Sequence, residues 1–426
     1  MGGVFINYRT GDGDWVATLL ARELSARIGS ANVFFASRSI GVGQDFVTQI
    51  LGRLRECEVM LAVIGARWLD ATDRHGSRRL SNPADWVRKE IAEAFRHGLR
   101  VIPVFLDTTA SPATADLPDD LGALASCPAL RLRHGDDGDL ARLLDEVVAL
   151  ARQPPSEDTI HRVASQTLAE LDESRYPVSV PRPPDSEAPA ALEDRLARYA
   201  RDMTRLLRLT ATGGYLGGGP HKQWIGVLDR FLNRRDEAPP ADGCRPWLAA
   251  ELYPALLLSY TIGISGIAAG HDDLAYRQLA LAKAHGPTQK ERSALRVLAL
   301  RLVVDPQYAT AFPKWRGTRH HHALSVHLRQ ELHPIFHHLV GDRAYELAFE
   351  EYEYLRSLLE LHSMAFTSLG EFAFHQDQGT TTVAERMSTR LTSDSVLLRA
   401  GAFDGDAAKA AAARHQLAVA IRGRYR

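Results

Sequence analysis

Apolar residues along the first 150 positions recur in two alternating rhythms. Short unbroken apolar runs predict strands buried on both faces: VFINY at Val4–Tyr8, NVFFA, EVMLAVIG at Glu58–Gly65 and RVIPVFLD at Arg100–Asp107. ALRLR is a weaker strand of the same kind. Between these runs the apolar positions return with helical spacing. Asp14–Gly29 is apolar at 15, 16, 19, 20 and 24, and DFVTQILGRLREC, DWVRKEIAEAF (Asp85–Phe95) and DLARLLDEVVALARQ repeat the pattern. Strands separated by helices predict an α/β unit over residues 1–153, with a parallel sheet covered on both faces.

The rhythm changes at Pro154. Residues 154–189 are proline-rich and acidic, with PPSEDT and PVSVPRPPDSEAPA around a short helical piece, and predict an inter-domain linker. Residues 190–426 carry helical periodicity almost throughout, in segments such as LEDRLARYARDMTRLLRL, KQWIGVLDRFLNRR and AYELAFEEYEYLRSLLELH. No residue signature recurs at a fixed spacing, so the prediction is an all-α region without tandem repeats. Leu252–Gly270 is uncharged and close to the length of a membrane span. It contains Pro254, several hydroxyl side chains and three glycines, and no basic anchor flanks it. A buried core helix is the expectation, and a membrane partner is not.

Composition narrows the picture only slightly. A net charge of −1 gives no global field toward nucleic acid or an anionic membrane. Cys57, Cys127 and Cys244 are scattered without a CxxC pair, as expected in a reducing cytoplasm, and MGGVFINYRT has no basic region followed by an apolar run, so no signal peptide is expected.

The candidate chemistry lies in DWVRKEIAEAF. Trp86 and Glu90 stand at i and i+4, on one helix face. A flat ring beside a carboxylate serves either as packing plus a surface charge or as a platform for a ring-bearing ligand. At the end of the first strand, Tyr8, Arg9 and Thr10 lead into a glycine-bearing turn. Ligands of open α/β sheets bind there, so these residues read as pyrophosphate and ribose contacts or as ordinary turn chemistry.

Five pieces in order, FINYR, VFFASRSIGVGQDF, VMLAVIGARWL, DWVRKEIAEAF and RVIPVFLD, resemble the Toll/interleukin receptor (TIR) domain of bacterial proteins. The resemblance covers residues 1 to about 150 and implies a flavodoxin-like parallel sheet. Some members of the family are scaffolds that bind other TIR domains; others cleave NAD. In the enzymes, a glutamate on the helix before the IPV strand is catalytic and an aromatic residue one turn earlier lines its cleft. Glu90 and Trp86 match those positions. NAD+ is then the substrate, with no further cofactor and no metal. Where many members carry an acid after the second strand, this chain has Ser37 and Arg38. They are candidate phosphate contacts or loop caps. The loop Ser39–Gln44, with Ile40 and Gly41, matches a family segment that docks on a neighbouring TIR domain and implies self-association.

By the same resemblance the chain is an NAD glycohydrolase of antiphage immunity, activated by assembly when the helical region meets an infection trigger or partner protein. The rivals are a non-catalytic TIR adaptor and a cyclase that makes a cyclic ADP-ribose-type signal. Other features carry less. TGGYLGGGPHK follows a helix, lacks the G-K-[ST] ending of a phosphate loop and reads as a flexible break between helices. His333 and His337 have metal-ligand spacing but no indicated third ligand. RHHHALSVHLR, with Lys314, Arg316 and Arg319, is a local basic patch that leaves nucleic acid as a partner without further support.

Overall fold

The computed structural model describes residues 3–35, 50, 52–54, 57–180, 183–217, 221–234, 245–285, 291–315, 320–364, 366–374 and 382–424. They form two compact units, Met1–Gln153 and Pro154–Arg426.

The first unit is a five-stranded parallel sheet. Its strands are β1 (Gly3–Tyr8), β2 (Val33–Phe35), β3 (Cys57–Ile64), β4 (Arg100–Leu106) and β5 (Leu130–Leu132), in the order β2-β1-β3-β4-β5. Val4 pairs with Val33 on one side and Val59 on the other, and Val59 pairs with Arg100. Alternation along β1 decides which helix each residue meets. Val4 and Ile6 share a core with α1 (Asp14–Ile28) and α3 (Asp137–Ala151), whereas Phe5 joins Met60, Ala62 and Phe105 under α2 (Trp86–Arg96). The strand order reverses between β1 and β3, and the crevice outside their carboxyl ends is where such sheets take ligands.

The second unit is built round the apolar segment. The helix Tyr253–Ala269 is buried from Tyr253 through Ile267. Arg245–Ala269 has the length and hydropathy of a membrane span, yet 83% of its apolar window is buried inside this unit. Its polar groups have partners there. Ser259 Oγ lies 2.9 Å from Tyr352 Oη, Tyr260 donates to Glu353 at 3.0 Å, and Thr261 and Ser265 bond back to the helix's own carbonyls. Helices Ala188–Tyr215, Asp272–Leu281 and Asp342–Ser363 pack round it.

Three sequence expectations change. Within residues 154–189 the expected short helical piece is Glu157–Glu170, but the segment is docked rather than a bare linker: Ile160, Val163, Leu171, Tyr176 and Val178 are buried in the helical unit's core. Their spacing among prolines concealed a packing face. Lys283–His285 and Glu291–Ser293 form a short antiparallel strand pair where only helix was predicted. The Gly213–Gly214 pair of TGGYLGGGPHK lies inside the helix Ala188–Tyr215 rather than in a loop. An added Cβ would meet Trp224 at 2.4 Å from Gly213 and Ser265 Oγ at 2.2 Å from Gly214, so these glycines permit close packing.

A third such approach, on the central helix, makes a test. A Cβ on Gly263 would sit 2.0 Å from the buried Tyr352 ring, while one on Gly226 meets nothing within 4 Å. Gly263→Ala is expected to cost about 2–3 kcal/mol in urea unfolding through overpacking. Gly226→Ala should stabilise by up to about 1 kcal/mol through helix propensity. Equal effects at the two sites would refute the close contact.

Candidate active site

The helix α2 begins at Asp85, whose side chain accepts the Arg88 N–H at 3.2 Å as an N-cap. The same carboxylate holds the guanidinium of Arg9 through two bonds of 3.1 Å, and Arg79 Nε approaches it at 3.2 Å. Arg9 and Asp85 side chains are each only 2% exposed. The end of β1 and the start of α2 are therefore joined by a buried, fork-like ion pair.

From that anchor α2 turns Val87, Glu90, Ile91 and Ala94 toward the sheet. Glu90 thus occupies an otherwise apolar stripe and is 6% exposed. Asn7, on the Phe5 face of β1, donates its amide to Glu90 Oε2 at 2.7 Å. Asn7 Oδ1 is buried without a hydrogen-bond partner among the described residues. Burial pushes the Glu90 carboxyl up from 4.5 to about 7; the Asn7 hydrogen bond opposes the shift and the Asp85 charge adds to it. Placing an acid where the local pattern demands an apolar residue is the kind of local inconsistency found at functional sites.

The loop after β1 is fastened to the loop after β3. Asp12 accepts the N–H groups of Gly65 and Arg67 at 3.1 and 2.9 Å, and Asp14 accepts that of Gly11 at 2.5 Å. Gly11 has φ +83°, which suits glycine in this turn. These bonds fix both lips of the crevice beside the switch point.

The expected site residues divide. Glu90 and Trp86 lie on one helix, with Trp86 half-buried and Lys89 Nζ 5.2 Å from its ring centroid. Arg9 reaches the same end of the sheet, but Asp85 engages two of its nitrogens, so its place is that of an anchor for α2 rather than an open phosphate contact. Thr10 is exposed in the turn. Tyr8 belongs to the other face, where it stacks on Phe35 with centroids 5.1 Å apart and packs against the α1 side. Ser37, Arg38, Ile40 and Gly41 lie outside the described residues. Asn7 and Asp85 were missed by sequence reasoning. A polar residue inside a strand buried on both faces, and an aspartate just before the helix, were the available signals.

Histidines elsewhere have local partners. His333 Nε2 meets Asp342 at 3.0 Å and His337 Nδ1 meets the Pro334 carbonyl at 2.8 Å. Among the described residues no three His, Cys, Asp or Glu side chains converge as a metal set. In the basic patch, Lys314 Nζ points to the buried His327 at 2.5 Å, while Arg316 and Arg319 lie outside the described residues.

Two measurements test this geometry. Asp85→Asn keeps a capping oxygen but leaves Arg9 buried beside a neutral group, so the first unit should lose about 3 kcal/mol or more. A loss under about 0.5 kcal/mol would mean that the pair does not hold α2. A carboxyl with a raised folded-state pKa binds its proton more tightly when folded. Its contribution is full below pH 4.5 and is lost as pH rises through about 7. Relative to Glu90→Gln, the wild type should lose up to about 3 kcal/mol across that window and stay level above it. Parallel pH profiles of the two proteins would contradict the burial of an ionisable group there.

Comparison with known families agrees with the sheet. The family model described as TIR domain matches residues 4–144. No curated protein matches the chain. The order β2-β1-β3-β4-β5 and that match together identify the first third of the chain as a TIR domain, followed by a separate helical unit.

Proposed function

We propose that the TIR domain cleaves the bond between nicotinamide and ribose in NAD+, with Glu90 as the catalytic carboxylate. One observation carries this reading: an acid set into the apolar stripe of α2, held by Asn7 at the ligand-binding end of the sheet. The nicotinamide ring of NAD+ is already cationic, so the breaking C–N bond sends its electron pair to the ring and needs no general acid. Positive charge develops on the ribose, in an oxocarbenium-like transition state. A carboxylate beside the sugar stabilises that charge. Water then adds to the ribose carbon and gives up one proton, yielding ADP-ribose, nicotinamide and H+. Trp86, one turn before Glu90, is the ring assigned to orient the base.

The reading includes a mode of control. Self-association through TIR domains would complete the crevice, with the Ser39–Gln44 loop of one copy against another, and the helical unit would govern assembly. In a bacterial cytoplasm such a protein stays silent until an infection trigger meets the helical unit, then depletes NAD to block phage growth. The adaptor reading has its own support, because Glu90 is only 6% exposed and Arg9 is engaged. In that case α2 is a structural element and partners are bound without chemistry.

Release of free nicotinamide by the concentrated full chain separates the two. The expected result is turnover that falls about 100-fold or more in Glu90→Gln. kcat/KM should rise with pH through about 7, as the free carboxyl ionises. In cells, expression of the wild-type chain should lower NAD, and Glu90→Gln should not. Unchanged turnover in the variant would remove Glu90 from the chemistry. Stable NAD in both tests would favour the adaptor.

A further inference from the structure

The helical unit contains a cavity of about 310 Å³, within the size range of small-molecule sites. Leu300, Val304, Ala309, Ala323, Leu324 and Leu369 give it apolar walls. Its polar features are few and placed together. Arg301 is exposed at the cavity and lies over Phe366, 3.5 Å from the ring centroid. Among the described residues no carboxylate pairs with Arg301. Ala323, Leu324 and Ser325, the first turn of the 14-residue helix Ala323–Phe336, line the same space. The His322 side chain makes no capping hydrogen bond to that helix, so its positive end is open there.

The nearby acids are already engaged. Glu353 accepts hydrogen bonds from Ser325 and Tyr260 at 2.7 and 3.0 Å. Glu360 accepts the Ser368 N–H at 2.5 Å and faces Arg356 at 3.3 Å, and Glu371 pairs with Arg329 at 2.9 Å. Among the described residues, what remains uncompensated at the cavity is one guanidinium and one helix amino end. A dry apolar void needs none of these groups, whereas a ligand with one charged end uses each of them.

We propose that this cavity binds a small amphiphile carrying a single carboxylate or phosphate group. Its apolar body lies against the leucine and alanine walls, and its anionic head meets Arg301 and the amino end of the Ala323–Phe336 helix. The site stands whether or not the TIR domain cleaves NAD.

Calorimetric titration of the full chain with decanoate, decyl phosphate and decanol, each below its micellar concentration, tests this directly. At least one anion should bind about tenfold or more tightly than decanol, as expected for one charge-assisted contact. The preferred anion identifies the headgroup. The exposed-site variant Arg301→Gln should erase the preference while leaving decanol binding unchanged. Thr310→Trp, at the rim, should block all three probes with a native circular-dichroism spectrum. Absence of anion binding, equal binding of decanol, or an anion preference that survives Arg301→Gln would overturn the proposal. None of these readouts depends on nicotinamide release.

Discussion

The ion pair between Arg9 and Asp85 is the constraint on which the TIR domain's site depends. It joins residues 76 positions apart, at the end of β1 and the start of α2, and excludes water from both. With that end fixed, the i+3 and i+4 spacing of α2 leaves Glu90 no direction but toward the sheet. Asn7, two residues before Arg9, is then within hydrogen-bond distance of it. Burying an acid opposes stability, and the upward push on the Glu90 pKa measures that opposition. The proposed enzyme, which must meet a transient cation, gives such a group a use.

The helical unit follows another logic. Its central helix is apolar enough for a membrane, but serine, threonine and tyrosine side chains along it meet partners within the unit, and glycines let neighbours approach closely. Polar groups in an apolar interior are tolerated when each is satisfied. Arg301, without a carboxylate partner among the described residues, lies at an apolar cavity of this unit.

Much of the first unit was legible because its signals are local. Unbroken apolar runs gave the strands, and the pairing of Trp86 with Glu90 followed from helical spacing alone. The anchoring of Arg9 was hidden for the opposite reason: its partner Asp85 is distant in sequence, so no local pattern revealed that the guanidinium was engaged. Tyr8 was assigned to the ligand side without the alternation that sends it with Val4 and Ile6 to the α1 face. Asn7 could have been found by the same alternation. In the second unit the helices were legible but their packing was not, since side chains such as Tyr352 and Glu353 find partners about 90 residues away. Residues 154–189 looked like a spacer because prolines dominate their composition, while the few apolar positions that dock them are widely spaced.

The central claim is a position: the Glu90 carboxylate beside the nicotinamide-bearing sugar. A structure of the assembled full chain with an NAD analogue whose nicotinamide-side ribose ring oxygen is replaced by carbon tests it most directly. The account predicts a Glu90 oxygen about 2.6–3.2 Å from a ribose hydroxyl, with the nicotinamide against Trp86. An analogue bound elsewhere, or Glu90 still enclosed against Asn7 and out of reach of the sugar, would contradict it.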